Sequence, residues 1–130
     1  MNKQRVLIVE DDRSLAAATG KLLSHMDYEI TIADSVKSAE TALTGGTYFD
    51  LVMLDLDLGD GVQATYELLD RLATSRIALP PVIIFSGKPE EEVERAVGKI
   101  GSYALLRKPT SAQALVDAIE RSLNSTAGND

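Results

Sequence analysis

The sequence lacks several residue types that whole classes of protein site require. Its 130 residues include no cysteine and no tryptophan, and His25 is its single histidine. Without cysteine the chain has no disulfide framework, no thiolate zinc site and no cysteine nucleophile. One histidine cannot build a multi-histidine metal centre, and near the end of a predicted helix it is explained by the helix dipole. Any metal site in this chain must therefore rely on oxygen ligands.

Basic residues are also scarce: 13 lysines and arginines stand against 20 acids, a formal net charge of −7. This deficit disfavours direct binding to nucleic acid or to an anionic membrane, because both need clustered cations. The N-terminus has no apolar signal-peptide core. The longest uncharged run, 77–87, is too short to span a bilayer and contains two prolines. We therefore expect a cytoplasmic protein that contacts neither nucleic acid nor membrane directly.

Five short apolar runs alternate with longer segments of helical periodicity along the chain. The runs are continuously apolar, which is typical of strands buried on both faces of a parallel sheet. Helices between parallel strands cover both faces, so the sequence predicts an α/β fold of five βα units. The predicted strands are 6–9, 30–33, 51–54, 82–85 and 103–106.

The helical segments predict a buried face for the first helix and an end for the domain. Four apolar residues of the first helix recur at a spacing that marks one side. They are Leu15, Ala18, Leu22 and Met26. The apolar pattern of the last helix stops at Leu123. We therefore expect one domain over 1–123 and a flexible tail or truncated linker over 124–130.

Polar side chains follow four of the five predicted strands, at the point where each strand ends. In an open parallel sheet those ends share one edge, and ligands bind there. Helix capping and dipole effects explain an acid at any single position, but not the convergence of several such groups. The residues are Glu10, Asp11 and Asp12 after the first strand, Asp55 after the third, Ser86 after the fourth and Lys108 after the fifth.

These residue types together indicate a metal-assisted phosphoryl site. Carboxylates held close together repel each other and resist ionisation unless a cation joins them. Oxygen ligands favour Mg²⁺, which keeps positions for water and phosphate oxygens. An aspartate can attack phosphorus in line, a lysine can neutralise phosphoryl charge, and a hydroxyl can hydrogen-bond to the product. A phosphate group is therefore the predicted guest of this edge.

Four short motifs carry these residues, and each alone is a weak signal. They are VEDD at 9–12, MLDLDL at 53–58, FSG at 85–87 and RKP at 107–109. In this order and at this spacing they resemble the receiver domain of bacterial two-component response regulators, such as the single-domain chemotaxis regulator. The resemblance covers about residues 4–123. It implies a doubly wound, flavodoxin-like fold whose parallel strands lie in the order 2-1-3-4-5.

The resemblance implies a role for each acid at the site. Asp55 is the expected phosphoacceptor. Glu10 and Asp11 are the expected acidic pair, which binds Mg²⁺ or Mn²⁺ together with Asp55 and with the main-chain carbonyl of Asp57. Asp12 lies one place past the pair and is expected to cap the first helix.

By the same resemblance, Ser86 is the switch hydroxyl and Lys108, before the cis-prone Pro109, is the lysine that holds the phosphoryl group. The family's aromatic switch position is Leu105 here, which is not aromatic. Switching through an inward-turning aromatic ring is therefore not expected. The nearby Tyr103 is expected to be a packing residue instead of a substitute for that ring.

Three further positions bear on how the site is tuned. The family's usual proline four residues after the phosphoacceptor is Gly59 here, which predicts a looser loop after the third strand. Asp57 and Lys88 occupy the two variable positions that tune phosphoryl lifetime in this family. Arg107 and the other scattered arginines are expected to be solvated surface.

The resemblance implies a phosphorylation-dependent signalling switch that catalyses only its own phosphorylation and dephosphorylation. The expected donor is a histidine kinase or a histidine phosphotransfer protein. Phosphorylation is expected to change partner binding on the face made by the fourth helix, the fifth strand and the fifth helix. The expected recipient is a separate effector protein or an attached output domain, and a phosphorylation-dependent homodimer is a further expectation.

Two other functions compete with this one. A small haloacid dehalogenase-like phosphatase would use Asp55 and Asp57, but in that superfamily the acidic pair follows the lysine, whereas Glu10 and Asp11 precede it. An inactive receiver-like interaction module is the other alternative. The complete set of expected site residues argues against it.

Overall fold

Strands and helices alternate along the chain in this computed structural model, which describes residues 3–59, 61–74, 79–98, 103–108 and 110–127. The strands are β1 (Arg5–Val9), β2 (Glu29–Ala33), β3 (Leu51–Asp55), β4 (Val82–Ser86) and β5 (Ala104–Arg107). The helices are α1 (Arg13–His25), α2 (Val36–Thr44), α3 (Val62–Thr74), α4 (Glu90–Val97) and α5 (Ala112–Ala127).

The five strands form one parallel sheet in the order β2-β1-β3-β4-β5, which confirms the predicted topology. In the sheet, β2 lies on one side of β1 and β3 lies on the other side. The order of strands therefore reverses between β1 and β3, and sheets of this kind bind ligands beside such a point. In the register of the sheet, Asp55 lies opposite Phe85, so β3 and β4 end side by side.

Side chains of the central strands alternate between two hydrophobic cores. On β1, Leu7 and Val9 join the core beneath α2, α3 and α4, whereas Val6 and Ile8 join the core beneath α1 and α5. The three central strands are buried almost throughout. The prediction of burial on both faces is wrong for β2, where Ile32 is 47% exposed. This strand lies at the edge, so it has one neighbouring strand and incomplete helical cover.

The buried face predicted for α1 is confirmed only in part: Leu22 and Met26 pack against the core beneath α1 and α5, but Leu15 does not. The buried residues of this helix are Ala16, Gly20 and Leu23, and Leu15 is 47% exposed. The helix packs against β2, and Gly20 faces Ile30 and Ile32 at an ordinary van der Waals distance, 3.6 Å from the position of an added Cβ. Leu15 and Leu22 line a space that Leu115 of α5 also lines.

The last helix continues beyond the predicted end at Leu123 and reaches Ala127. Residues 124–127 of the predicted tail are therefore helical, and residues 128–130 lie outside the described part of the chain. Helix propagation adds one hydrogen bond per residue and needs no burial, so loss of the apolar pattern does not end a helix. Within the described ranges, no helix is both long and apolar enough to cross a membrane.

Candidate functional site

The carboxyl edge of the sheet brings the predicted polar residues together. Glu10, Asp55 and Ser86 are almost fully buried, with 8%, 3% and 0% of their surface exposed. Each stands at or just after the end of a central strand, whose apolar residues are held in the two cores. Burial of these polar groups is therefore a consequence of strand packing. Polar groups buried in this way need charged or hydrogen-bonding partners.

Three carboxylates form a candidate metal centre. Glu10, Asp11 and Asp55 each offer one oxygen, and these oxygens lie within 4.8 Å of one another. A set of carboxylate oxygens without nitrogen or sulfur fits a hard cation such as Mg²⁺, which uses one or two carboxylates and keeps several waters. The residues present thus fit the ion that the resemblance implies.

Glu10 carries the strongest electrostatic perturbation of these acids. Burial, followed by the contact with Asp55, raises the pKa of Glu10 from 4.5 to about 7. The main-chain N–H of Asp12 donates a hydrogen bond to Glu10 Oε2 at 3.2 Å and opposes this rise. Without a cation, the edge therefore retains a proton on Glu10 close to neutral pH.

Lys108 is the cation that faces the buried acid of β3. Its Nζ lies 2.7 Å from Asp55 Oδ1 and 3.7 Å from Asp57 Oδ2. Burial acts to lower the pKa of Lys108, but the hydrogen bond to Asp55 and the surrounding acids together raise it above 10.5. Lys108 therefore stays charged and offsets the Asp55 carboxylate. Pro109, the predicted cis-prone residue, lies outside the described part of the chain.

Ser86 ends β4 next to this ion pair. Its Oγ accepts a hydrogen bond from the main-chain N–H of Lys88 at 2.9 Å. The hydroxyl thus stabilises the start of the loop after β4. Because Ser86 is the acceptor in this bond, its hydroxyl proton can be donated to another group.

Asp57 links the loops that follow β3 and β4. Its main-chain N–H donates to Asp55 Oδ1 at 2.9 Å, and its carboxylate lies 3.7 Å from Lys88 Nζ. The N–H of Gly87 donates a weak hydrogen bond to the same carboxylate at 3.5 Å. The two predicted lifetime-tuning residues, Asp57 and Lys88, therefore form an ion pair across the mouth of the site.

Two residues make contacts at this edge that sequence reasoning missed. The N–H of Gly59 donates to Asp11 Oδ2 at 2.7 Å, so the loop after β3 is bonded to Asp11 at a position where a looser loop was expected. Arg107, expected to be solvated surface, is exposed but donates a hydrogen bond to the main-chain carbonyl of Lys88. Both partners are distant in sequence, and no local pattern signals either contact.

The position of the family's switch aromatic residue falls on β5, an edge strand of the sheet. Leu105 on β5 pairs with Ile84, is partly buried and packs against the core beneath α2, α3 and α4. Tyr103 packs against the same core, which confirms its predicted packing role. The N-cap predicted at Asp12 is also confirmed, because Asp12 Oδ1 accepts from the N–H of Leu15 at 3.0 Å.

A cavity of about 810 Å³ lies between α1 and α5, beside the acidic edge. Leu15 and Leu22 line it from α1 and Leu115 lines it from α5, while Asp55 and Lys108 lie at its polar end. The cavity therefore provides room next to the Asp55 carboxylate even though that residue is almost completely covered.

The parallel sheet, its strand order and its acidic edge define a doubly wound, flavodoxin-like fold of the kind seen in receiver domains. The sequence matches the response regulator receiver domain family over residues 6–120. The chain belongs to this family, the receiver domains of two-component response regulators.

Individual relatives agree with this assignment. The chain is 34% identical to the sensory transduction protein RegX3 of Mycolicibacterium smegmatis, over 96% of the chain and 53% of the relative. It is 33% identical to the transcriptional regulatory protein PmrA of Pectobacterium parmentieri, over 90% of the chain and 52% of the relative. The chain thus spans about half the length of these two curated relatives.

Solved structures share the fold closely. A CheY-like receiver domain protein from Methanospirillum hungatei superposes with a TM-score of 0.83 at 25% identity, covering 99% of this chain and all of that one. The chemotaxis protein CheY4 of Vibrio cholerae has a TM-score of 0.80 at 20% identity, over 94% of this chain and 100% of that one. Family and fold together do not favour the dehalogenase-like alternative.

Proposed function

We propose that Asp55 of this receiver domain accepts a phosphoryl group from the phosphohistidine of a histidine kinase or histidine phosphotransfer protein. The observation that carries the proposal is the placement of the Asp55 carboxylate. It is buried at the end of β3, bonded to Lys108 Nζ at 2.7 Å and grouped with Glu10 and Asp11 within 4.8 Å. An acid with a fixed cation on one side and metal ligands on the other is suited to nucleophilic attack on phosphorus.

Glu10, Asp11 and Asp55 are the residues that would hold Mg²⁺ or Mn²⁺, with the main-chain carbonyl of Asp57 as a further ligand. When bound, the ion would neutralise charge on the phosphoryl oxygens. Glu10 must lose its proton to act as a ligand. Its raised pKa of about 7 therefore links metal binding to pH.

In the transfer step an oxygen of Asp55 forms a bond to phosphorus as the bond from phosphorus to the donor's imidazole nitrogen breaks. The imidazole leaves with the electron pair of that bond. Lys108 then exchanges its contact with the carboxylate for a contact with the phosphoryl oxygens, and the Ser86 hydroxyl donates its proton in a hydrogen bond to one of them. The cavity beside α1 and α5 is the space through which the donor approaches.

Phosphorylation would be transmitted through the loop after β4. This loop begins at Ser86, and Lys88 within it contacts both Asp57 and Arg107. New negative charge at Asp55 competes for Lys108 and Ser86, which alters these contacts and the face formed by α4, β5 and α5. We propose that this face binds a cytoplasmic effector or an attached output domain, or pairs with a second phosphorylated copy.

The direct test is incubation with acetyl phosphate and Mg²⁺, followed by intact mass measurement. We expect wild type and Asp50→Asn to gain one phosphoryl group and Asp55→Asn to gain none. Asp50 is a suitable control because it lies just before β3, at the opposite end of the strand from Asp55. Its Oδ2 accepts a hydrogen bond from the main-chain N–H of Arg5 at 2.7 Å.

Phosphate on Asp55→Asn, or none on wild type, would contradict the proposal. Absence of phosphate on wild type would instead favour an inactive interaction module. Repeated turnover of a soluble phosphate ester would favour the phosphatase alternative.

A further inference from the structure

The loop after β3 is bonded to a candidate metal ligand that comes from a different strand. The main-chain N–H of Gly59 donates to Asp11 Oδ2 at 2.7 Å, across 48 positions of sequence. Asp11 is exposed and follows β1, so no neighbouring core residue fixes its side chain. A short hydrogen bond to a carboxylate is among the stronger kinds, and this one restricts the rotation of the Asp11 carboxylate.

A side chain at position 59 would displace the Asp11 carboxylate. A Cβ added at Gly59 would lie 2.7 Å from Asp11 Oδ2, and carbon and oxygen atoms do not approach so closely without a shift. The φ angle of Gly59 is not among the positive values in this chain, so other residues can adopt its backbone conformation. The obstacle to a side chain is therefore the Asp11 carboxylate itself and not backbone strain.

The hydrogen bond between Gly59 and Asp11 is present in the same structure as the cluster of carboxylates that could bind a metal. With Asp11 bonded to Gly59, one of its oxygens still lies within 4.8 Å of the oxygens offered by Glu10 and Asp55. The bond thus does not withdraw Asp11 from the cluster. Groups that hydrogen-bond to a metal ligand fix its orientation, and their loss commonly weakens metal affinity by 10–100-fold.

We propose that Gly59 is a positioning residue for the metal site, whose N–H holds the Asp11 carboxylate facing Glu10 and Asp55. The inference rests on the proposed use of these carboxylates for Mg²⁺ or Mn²⁺. It also makes the loop after β3 sensitive to metal binding, because Asp11 is shared between the loop and the site.

The test measures Mn²⁺ binding to the full chain by electron paramagnetic resonance, without any phosphodonor. Gly59→Ala keeps the N–H but pushes the carboxylate aside, and we expect it to weaken Mn²⁺ affinity by about tenfold. Gly98→Ala is the matched control, because an added Cβ there meets nothing within 4 Å. It should bind Mn²⁺ as wild type does.

A double-mutant cycle separates positioning from a general structural effect. In an Asp11→Ala background, Gly59→Ala should cause no further loss of Mn²⁺ affinity, since no carboxylate remains to be displaced. Equal losses with and without Asp11, or wild-type affinity in Gly59→Ala, would overturn the inference. Thermal unfolding of each variant identifies any that fails to fold.

A metal-free measurement distinguishes this inference from the proposed function. In nuclear magnetic resonance spectra of the apo protein, the Gly59 amide proton should move upfield when Asp11→Asn weakens its acceptor. A Gly59 signal that does not respond overturns the inference. If that signal responds but wild type binds no Mn²⁺, the proposed metal site is wrong while the hydrogen bond remains.

Discussion

The acidic edge has a buried half and a solvent-facing half, and the two are held in place by different means. Glu10, Asp55 and Ser86 are buried at the ends of central strands, so the register of the sheet fixes them. Asp11 and Asp57 are exposed and held by contacts between loops. The positions of the buried half therefore depend on the sheet, and those of the solvent-facing half depend on the loops.

The two halves of the acidic edge also differ in the strength of their charge interactions. Burial raises the pKa of Glu10 to about 7, and Lys108 Nζ lies 2.7 Å from Asp55 Oδ1 in the buried half. The Asp57–Lys88 pair is wider, at 3.7 Å, and its side chains are 34% and 26% exposed. Exposed pairs of this kind are worth about 0–1 kcal/mol, because solvent screens them.

The largest expected effect compares the two lysines of the site. Lys108→Ala should reduce the rate of phosphorylation by acetyl phosphate by about a hundredfold, as removal of a preorganised charge does. Lys88→Ala should change it by less than about fivefold, because the acid that Lys88 contacts is the exposed Asp57 carboxylate. Mass spectrometry over a time course measures both rates. Similar rates for the two variants would contradict the proposed difference between the buried half and the solvent-facing half of the acidic edge.

A second expectation concerns stability and follows from the proton on Glu10. Its pKa is about 7 in the folded chain against an ordinary value of 4.5, so the folded state binds more protons between these limits. Stability therefore falls as pH rises through that window. In metal-free buffer, wild type should lose about 2 to 3 kcal/mol more than Glu10→Gln between pH 5 and pH 8. Urea unfolding measures this difference, and parallel pH profiles would argue against a buried, protonated Glu10.

The smallest expected effect is the pH dependence of metal binding. Mg²⁺ should bind about tenfold more tightly at pH 8 than at pH 6, because Glu10 must ionise before it becomes a ligand. Asp57→Asn should keep this dependence, since it alters the solvent-facing half. Glu10→Gln should lose it. Isothermal titration calorimetry at both pH values checks the expectation, and a pH-dependent Glu10→Gln would assign the proton to another group.

Much of the site could be predicted from sequence because its residues stand at strand ends. Asp55 directly follows one apolar run, and Lys108 lies two residues after the end of another. Parallel strands place such ends on one edge regardless of the details of packing. The buried face of α1 could not be predicted in this way. Two faces of that helix carry apolar residues, and its packing against β2 buries the face with Ala16, Gly20 and Leu23.

The sequence by itself determined the alternation of strands and helices, the family and the kinds of side chain at the acidic edge. These features depend on periodicity and residue chemistry, which are local along the chain. Only the tertiary structure decided that Glu10 retains its proton near pH 7 and that Gly59 holds Asp11. Burial depends on how the strands and loops pack, and so does the distance between residues that are far apart in the sequence. No local sequence pattern encodes either of them.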